Sequence, residues 1–180
     1  VALIVASALA LKAVYWTTSS AQLSDVISAA ELERLAVMIE TSESLSTPRE
    51  FYLEVKPAKL CISVGEGKRC RVLSLARLST KGLASLPLSA PVVSTSRLLW
   101  PWCNGSYSGL QSSIRVEAKG NLLTLTYFSI ERTGLAKRFE VWEEVEELRV
   151  LADKVVVEVE DVRVGEFKGL VRIRLVKRVI

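Results

Sequence analysis

The chain has 180 residues, room for one ordinary domain and an appendage, and 49% of them are apolar, which excludes a disordered segment. Its 24 Lys and Arg against 20 Asp and Glu leave a net charge of +4, too mild an excess to predict a nucleic-acid partner. There is no histidine, so the commonest general base and metal ligand is missing; no catalytic residue, cofactor or metal is predicted. A single Met, three Cys and abundant Val, Leu, Arg and Glu suit a thermophile.

Residues 1 to 16 read VALIVASALALKAVYW, with Lys12 as the sole charge. The stretch is short for a bilayer, which takes about 20 residues, and too uniformly apolar for a soluble surface helix. The sequence opens on Val1 without a methionine, which predicts trimming or processing ahead of it. From Gln22 the pattern turns amphipathic, with Leu23, Ile27, Ala30, Leu32, Leu35 and Ile39 recurring at helical spacing. Neither Gly nor Pro occurs before Pro48. One helix is therefore predicted from about residue 2 to about 42, roughly 60 Å long at 1.5 Å per residue, closed by the Ser- and Thr-rich stretch Thr41 to Pro48.

Beyond Pro48 the period changes to two. Phe51 to Val55, Leu60 to Val64 and Arg71 to Leu75 read as strands, the last two joined by a turn at Gly65-Glu66-Gly67-Lys68. Ser79 to Gly109 reads as loop, with Pro87, Pro91 and Pro101. Ile114 to Ala118 and Leu123 to Tyr127 flank a second hairpin turn at Gly120-Asn121, and Val155 to Val159, Val162 to Val164 and Val171 to Val179 complete the strands. Phe139 to Val150 fits either a helix or an edge strand. The expected fold class is α+β: a long N-terminal helix over 1–42, a linker over 43–50, and an antiparallel β-sandwich-like outer domain over 51–180.

A domain of about 130 residues fills its core from its own strands and cannot also wrap a helix that is apolar all round. Each large side chain left in water forgoes about 1.5–3 kcal/mol, so lipid or copies of the same chain must cover it. The residues expected to carry assembly are Val1, Leu3, Ile4, Val5, Leu9, Leu11 and Val14, continued by Leu23, Ile27, Leu35 and Ile39. Ala2, Ala6, Ser7, Ala8, Ala10 and Ala13 would allow close helix approach. Lys12 would snorkel to an interface or pair with an acid such as Asp25 of a neighbour.

Cys61 and Cys70 flank the Gly65–Gly67 turn, and a two-residue turn would set them opposite each other for a disulfide. Two unpaired thiols, or a pairing that involves Cys103, remain as alternatives. Asn104-Gly105-Ser106 matches the N-glycosylation acceptor pattern; Trp100, Trp102 and Tyr107 around it read as a loop anchored on the core rather than a ligand platform. The acidic run Glu140 to Glu147 reads as a solvated face, or as a partner for the basic strand Arg172 to Arg178 of another copy.

The layout resembles archaeal type IV pilins and archaellins. The resemblance covers roughly the first 65 residues: the apolar opening from Val1, then Ala30-Glu31-Leu32-Glu33-Arg34-Leu35-Ala36-Val37-Met38-Ile39-Glu40, a polar break and a strand. Position 5 is Val5, where bacterial members carry a glutamate near the mature start. The resemblance implies cleavage before the apolar segment by a dedicated peptidase. It also implies an extracellular, cell-surface filament of many copies, helices at its centre and β domains outside, serving adhesion or motility, with membrane lipid holding the subunit before assembly. The alternative is a membrane-anchored outer β domain that does not polymerise, such as a minor pilin or an archaellum accessory or stator protein. An exported enzyme or sugar-binding module ranks third.

Overall fold

The computed structural model describes residues 27–82 and 88–180. One helix occurs among them, α1 (Ala29–Thr41), followed by ten strands. These are β1 (Ser44–Val64), β2 (Gly67–Lys81), β3 (Val93–Ser94), β4 (Leu99–Cys103), β5 (Tyr107–Ser112), β6 (Ile114–Lys119), β7 (Leu122–Ser129), β8 (Gly134–Glu140), β9 (Trp142–Val159) and β10 (Val162–Val179). All belong to one sheet in the order β3-β6-β7-β10-β9-β1-β2-β5-β4, with β8 paired to β1 off that path. The sheet curls into a half-barrel.

This corrects the expected fold class. The protein is mainly β, and in place of a sandwich of two sheets it has a single sheet buried on both faces. The reason is visible in the parity of the strands, because successive side chains point to opposite faces. In β1, Phe51 and Leu53 enter one core, while Ala58 and Leu60 enter another. The same switch occurs in β2, between Leu73 and Leu75 on one side and Ala76 and Leu78 on the other. In β7 it separates Leu123 and Leu125 from Phe128. The first core lies beneath α1; the second lies inside the curl, where β1, β2, β7, β9 and β10 converge.

The long helix predicted over 2–42 does not survive either. Ser28 is extended (φ −80°, ψ 155°) and caps α1 through a reciprocal box. The Glu31 amide donates to Ser28 Oγ at 3.2 Å, and the Ser28 amide donates to Glu31 Oε2 at 2.8 Å. A residue that caps one helix cannot continue another, so α1 is 13 residues long. Its buried stripe, Leu32, Ala36 and Ile39, follows helical spacing. The far end is tied down by Glu40, whose Oε1 accepts the amides of Leu98 at 3.0 Å and Leu99 at 2.7 Å. The bonds from Ser28 hold the Glu31 carboxyl below its ordinary pKa of 4.5. A depressed carboxyl stabilises the fold fully above its unfolded pKa and loses that contribution as pH falls through the folded value. Ser28→Ala should therefore cost about 1 kcal/mol at pH 7, with the deficit shrinking below about pH 4.5, as read from urea midpoints across pH.

Residues 44–50, expected as linker, form the first part of β1, and Ser44 to Ser46 pair with β8 before the register breaks. The loop expected over Ser79 to Gly109 holds β3, β4 and the start of β5. Its prolines misled. Pro101 lies in β4, the last strand of the sheet, and its nitrogen faces outward like the amides of Leu99 and Cys103, which bond to Glu40 and Leu88, so the ladder to β5 loses no bond. Pro57 sits in β1 between the end of the β8 pairing at Leu53 and the start of the β9 pairing at Leu60, so it has a neighbour only on the β2 side.

Candidate functional site

Of the residues expected to carry assembly, Val1, Leu3, Ile4, Val5, Leu9, Leu11, Val14 and Leu23 lie outside the described residues, as do Lys12 and Asp25. Ile27 and Ile39 are buried and Leu35 is partly buried, all three in the core beneath α1. These last three are thus covered by the chain's own sheet.

The two-residue turn at Gly65-Glu66 sets Cys61 opposite Cys70, and the two form a disulfide with a Cα separation of 4.1 Å. Cys103 is buried at the end of β4, apart from that bond. The bridge closes the tip of the β1–β2 hairpin, which β9 flanks: Leu60 to Val64 pair with Val159 to Val155. The β9–β10 turn, Glu160-Asp161, has both residues at positive φ (47° and 63°) with no glycine to ease it. It is held by a 2.9 Å bond from the Glu160 amide to the Lys59 carbonyl, and the Lys59 amide donates back to Glu160 Oε1.

The acidic run meets the basic C-terminal strand within the same molecule. Glu143 pairs in register with Arg178, Glu144 with Lys177 and Glu147 with Arg174. Lys177 Nζ donates to Glu144 at 2.9 Å, which lowers that carboxyl's pKa; Arg178 Nε lies 3.4 Å from Glu143. Arg71 on β2 reaches across to Glu146, its Nη1 donating to both carboxylate oxygens at 2.8 and 2.9 Å. The alternation that allowed a helix or a strand over 139–150 is thereby resolved as strand, and Glu143, Glu144 and Glu146 have basic partners within their own chain.

Asn104 sits in the turn between β4 and β5. Its Oδ1 accepts the amides of Ser106 at 3.3 Å and Tyr107 at 2.9 Å, and the side chain is exposed. Trp102 anchors this end: it is 5% exposed and its indole donates to the Leu78 carbonyl at 3.2 Å.

One face of the sheet at this end has a row of residues in mutual register across five strands, Leu135, Tyr52, Ser79, Gly109 and Trp102. The next row on that face is Glu54, Arg77, Gln111 and Trp100. Opposite lies the buried row Leu53, Leu78 and Leu110, which faces the α1 core. The exposed face forms a groove of about 940 Å³ with Asn104 and Tyr107 at its rim. Within it the Arg77 guanidinium stacks 3.6 Å from the Trp102 ring centroid. Arg77 Nε lies 3.2 Å from Glu54 Oε1, inside ion-pair range but without hydrogen-bond alignment. The sequence singled out Trp102, Asn104 and Tyr107 at one end of this groove but not the rest, which come from other strands and acquire a common face only through register.

Among the described residues no cluster of three or more His, Cys, Asp or Glu could hold a metal, and no helix is long and apolar enough to cross a membrane. No protein-family model, curated protein or solved structure matches the chain.

Proposed function

We propose that this chain is a structural subunit of an extracellular, cell-surface filament of the archaeal type IV pilin kind. It polymerises through its apolar leader and displays the curled sheet outside, with the leader resting in membrane lipid before assembly. The observation that carries this reading is the junction at Ser28. The capping box starts α1 afresh, and α1 is then built into the core of the β body. The apolar leader therefore joins a body whose fold does not require it to share a helix axis, so it can pass from lipid into a bundle of sister leaders while the body stays unchanged. Partners are many copies of the chain; the function is structural rather than enzymatic.

A second reading has its own support. With Ile27, Leu35 and Ile39 occupied in the core, less of the chain is left for a shared bundle than a helix reaching to residue 42 would supply. A non-polymerising, membrane-tethered outer domain needs no more than the leader.

Shearing cells that produce the full chain, with negative-stain microscopy of the released fraction, separates the two. Long fibres containing the chain are expected. Leu9→Asp, which places a charge costing about 3 kcal/mol in hydrocarbon, should abolish them while the β body keeps its circular dichroism. Detergent-soluble monomer with no fibres would sink the filament reading in favour of the tether.

A further inference from the structure

The groove on the β8-β1-β2-β5-β4 face has a chemistry of its own, independent of whether the chain polymerises. It is an open stretch of a sheet face whose continuation is covered: along β1, Ala58 and Leu60 share the face of Tyr52 and Glu54 but lie inside the curl. At the Tyr52 end, neither α1 nor another strand among the described residues lines it. Its lining has a small side chain, Ser79, and its flanks carry phenol rings. Tyr52 is 47% exposed and Tyr107 is 44% exposed. Two strand spacings and two residues of rise put their Cα atoms about 12 Å apart, the span of a short chain of linked units rather than one small ligand. The volume falls in the range of about 300–1,000 Å³ usual for ligand sites.

The polar groups narrow the class. Arg77 stands over the Trp102 ring and beside Glu54, so a guanidinium and a carboxylate lie together in the groove. The Arg77 side chain is 28% exposed and that of Glu54 38% in the groove lining, and a guanidinium has five N–H donors where a carboxylate has only acceptors. The lining charges are mixed: Arg49, Arg77 and Lys81 stand among Glu50 and Glu54. A polyanion would meet carboxylates along its whole length, and nucleic acid would require an accumulated positive field. A neutral molecule with flat C–H faces for the tyrosines and a rim of hydroxyls for the paired Arg77 and Glu54 satisfies every element.

We infer that this groove binds an uncharged oligosaccharide. The rings of Tyr52 and Tyr107 stack on sugar faces, and Arg77 and Glu54 take the hydroxyls as donor and acceptor.

The test is a titration of the full chain in a detergent without a sugar headgroup, produced in a host that lacks N-glycosylation so that Asn104 stays bare. The probes are maltotriose, mannotriose and tri-N-acetylchitotriose, with a sulfated heparin oligosaccharide as the charged comparison. Binding is read by calorimetry and by tryptophan fluorescence, since Trp102 lies under Arg77. At least one neutral trisaccharide should bind with a millimolar or lower Kd, and the double variant Tyr52→Ala/Tyr107→Ala should weaken it about tenfold or more. Glu54→Gln should weaken it too, with an unchanged melting temperature, and Val37→Ala on the outer face of α1 should leave it intact. Absence of binding by all three neutral probes overturns the inference. So does binding that survives the tyrosine substitutions, or preferential capture of the sulfated probe.

Discussion

Gly109→Ala should be more damaging than an added methyl at any other glycine compared among the described residues. A Cβ at that position would stand 1.8 Å from the Leu78 carbonyl oxygen and 3.0 Å from the Ser79 Cα. Both obstacles are backbone atoms of the adjacent strand β2, so no rotamer change relieves the clash, and the β2–β5 ladder from Arg77↔Gln111 to Lys81↔Tyr107 must move. That displacement would also break the indole bond from Trp102 to Leu78. A loss of about 3 kcal/mol or more is expected, with a shift in tryptophan emission. Gly67→Ala is the matched control: its added Cβ meets nothing closer than the Val64 carbonyl at 3.5 Å, an ordinary contact. It should be neutral or stabilise by about 0.4–1 kcal/mol by restricting the unfolded chain. Equal urea midpoints for the two variants would refute the close approach of β5 to β2.

Ile39→Ala is expected to cost about 2–5 kcal/mol. Ile39 is fully buried, in a core that includes Phe51, Leu78, Phe128 and Phe139. Truncating it leaves a cavity that the sheet cannot close, because α1 is pinned nearby by the bonds from Leu98 and Leu99 to Glu40. Val37, two residues earlier on the same helix, is 58% exposed, and Val37→Ala should change stability by no more than about 0.5 kcal/mol. Denaturation of the full chain in detergent, followed by tryptophan fluorescence, measures both. If Ile39→Ala left the unfolding midpoint unchanged and impaired only assembly, α1 would belong to a filament bundle and not to the β body.

These two substitutions also mark the boundary between what could be read along the chain and what could not. Local chemistry was legible. The turn at Gly65-Glu66, the hairpin at Gly120-Asn121 and the alternation of Ile173 and Leu175 with Arg172 and Arg174 are properties of a few adjacent residues, and each appears as expected. The stripe Leu32, Leu35 and Ile39 likewise announced a helix, because its period of 3.6 is written within four turns of chain. Its start was misjudged: Ser28 and Glu31 are three apart, as a capping box requires, but the apolar residues ahead of them carried the pattern through.

Nonlocal pairing was not legible. That Glu143 and Glu144 face Arg178 and Lys177 depends on β9 and β10 meeting in one register out of several, and that Pro101 is tolerated depends on β4 being the outermost strand. Composition, charge and the apolar opening are summed over the chain and need no fold to be known. The single two-faced sheet, the seat of α1 and the groove between Tyr52 and Trp102 exist only where distant strands lie side by side. A one-residue slip in any ladder would send each of those side chains to the other face.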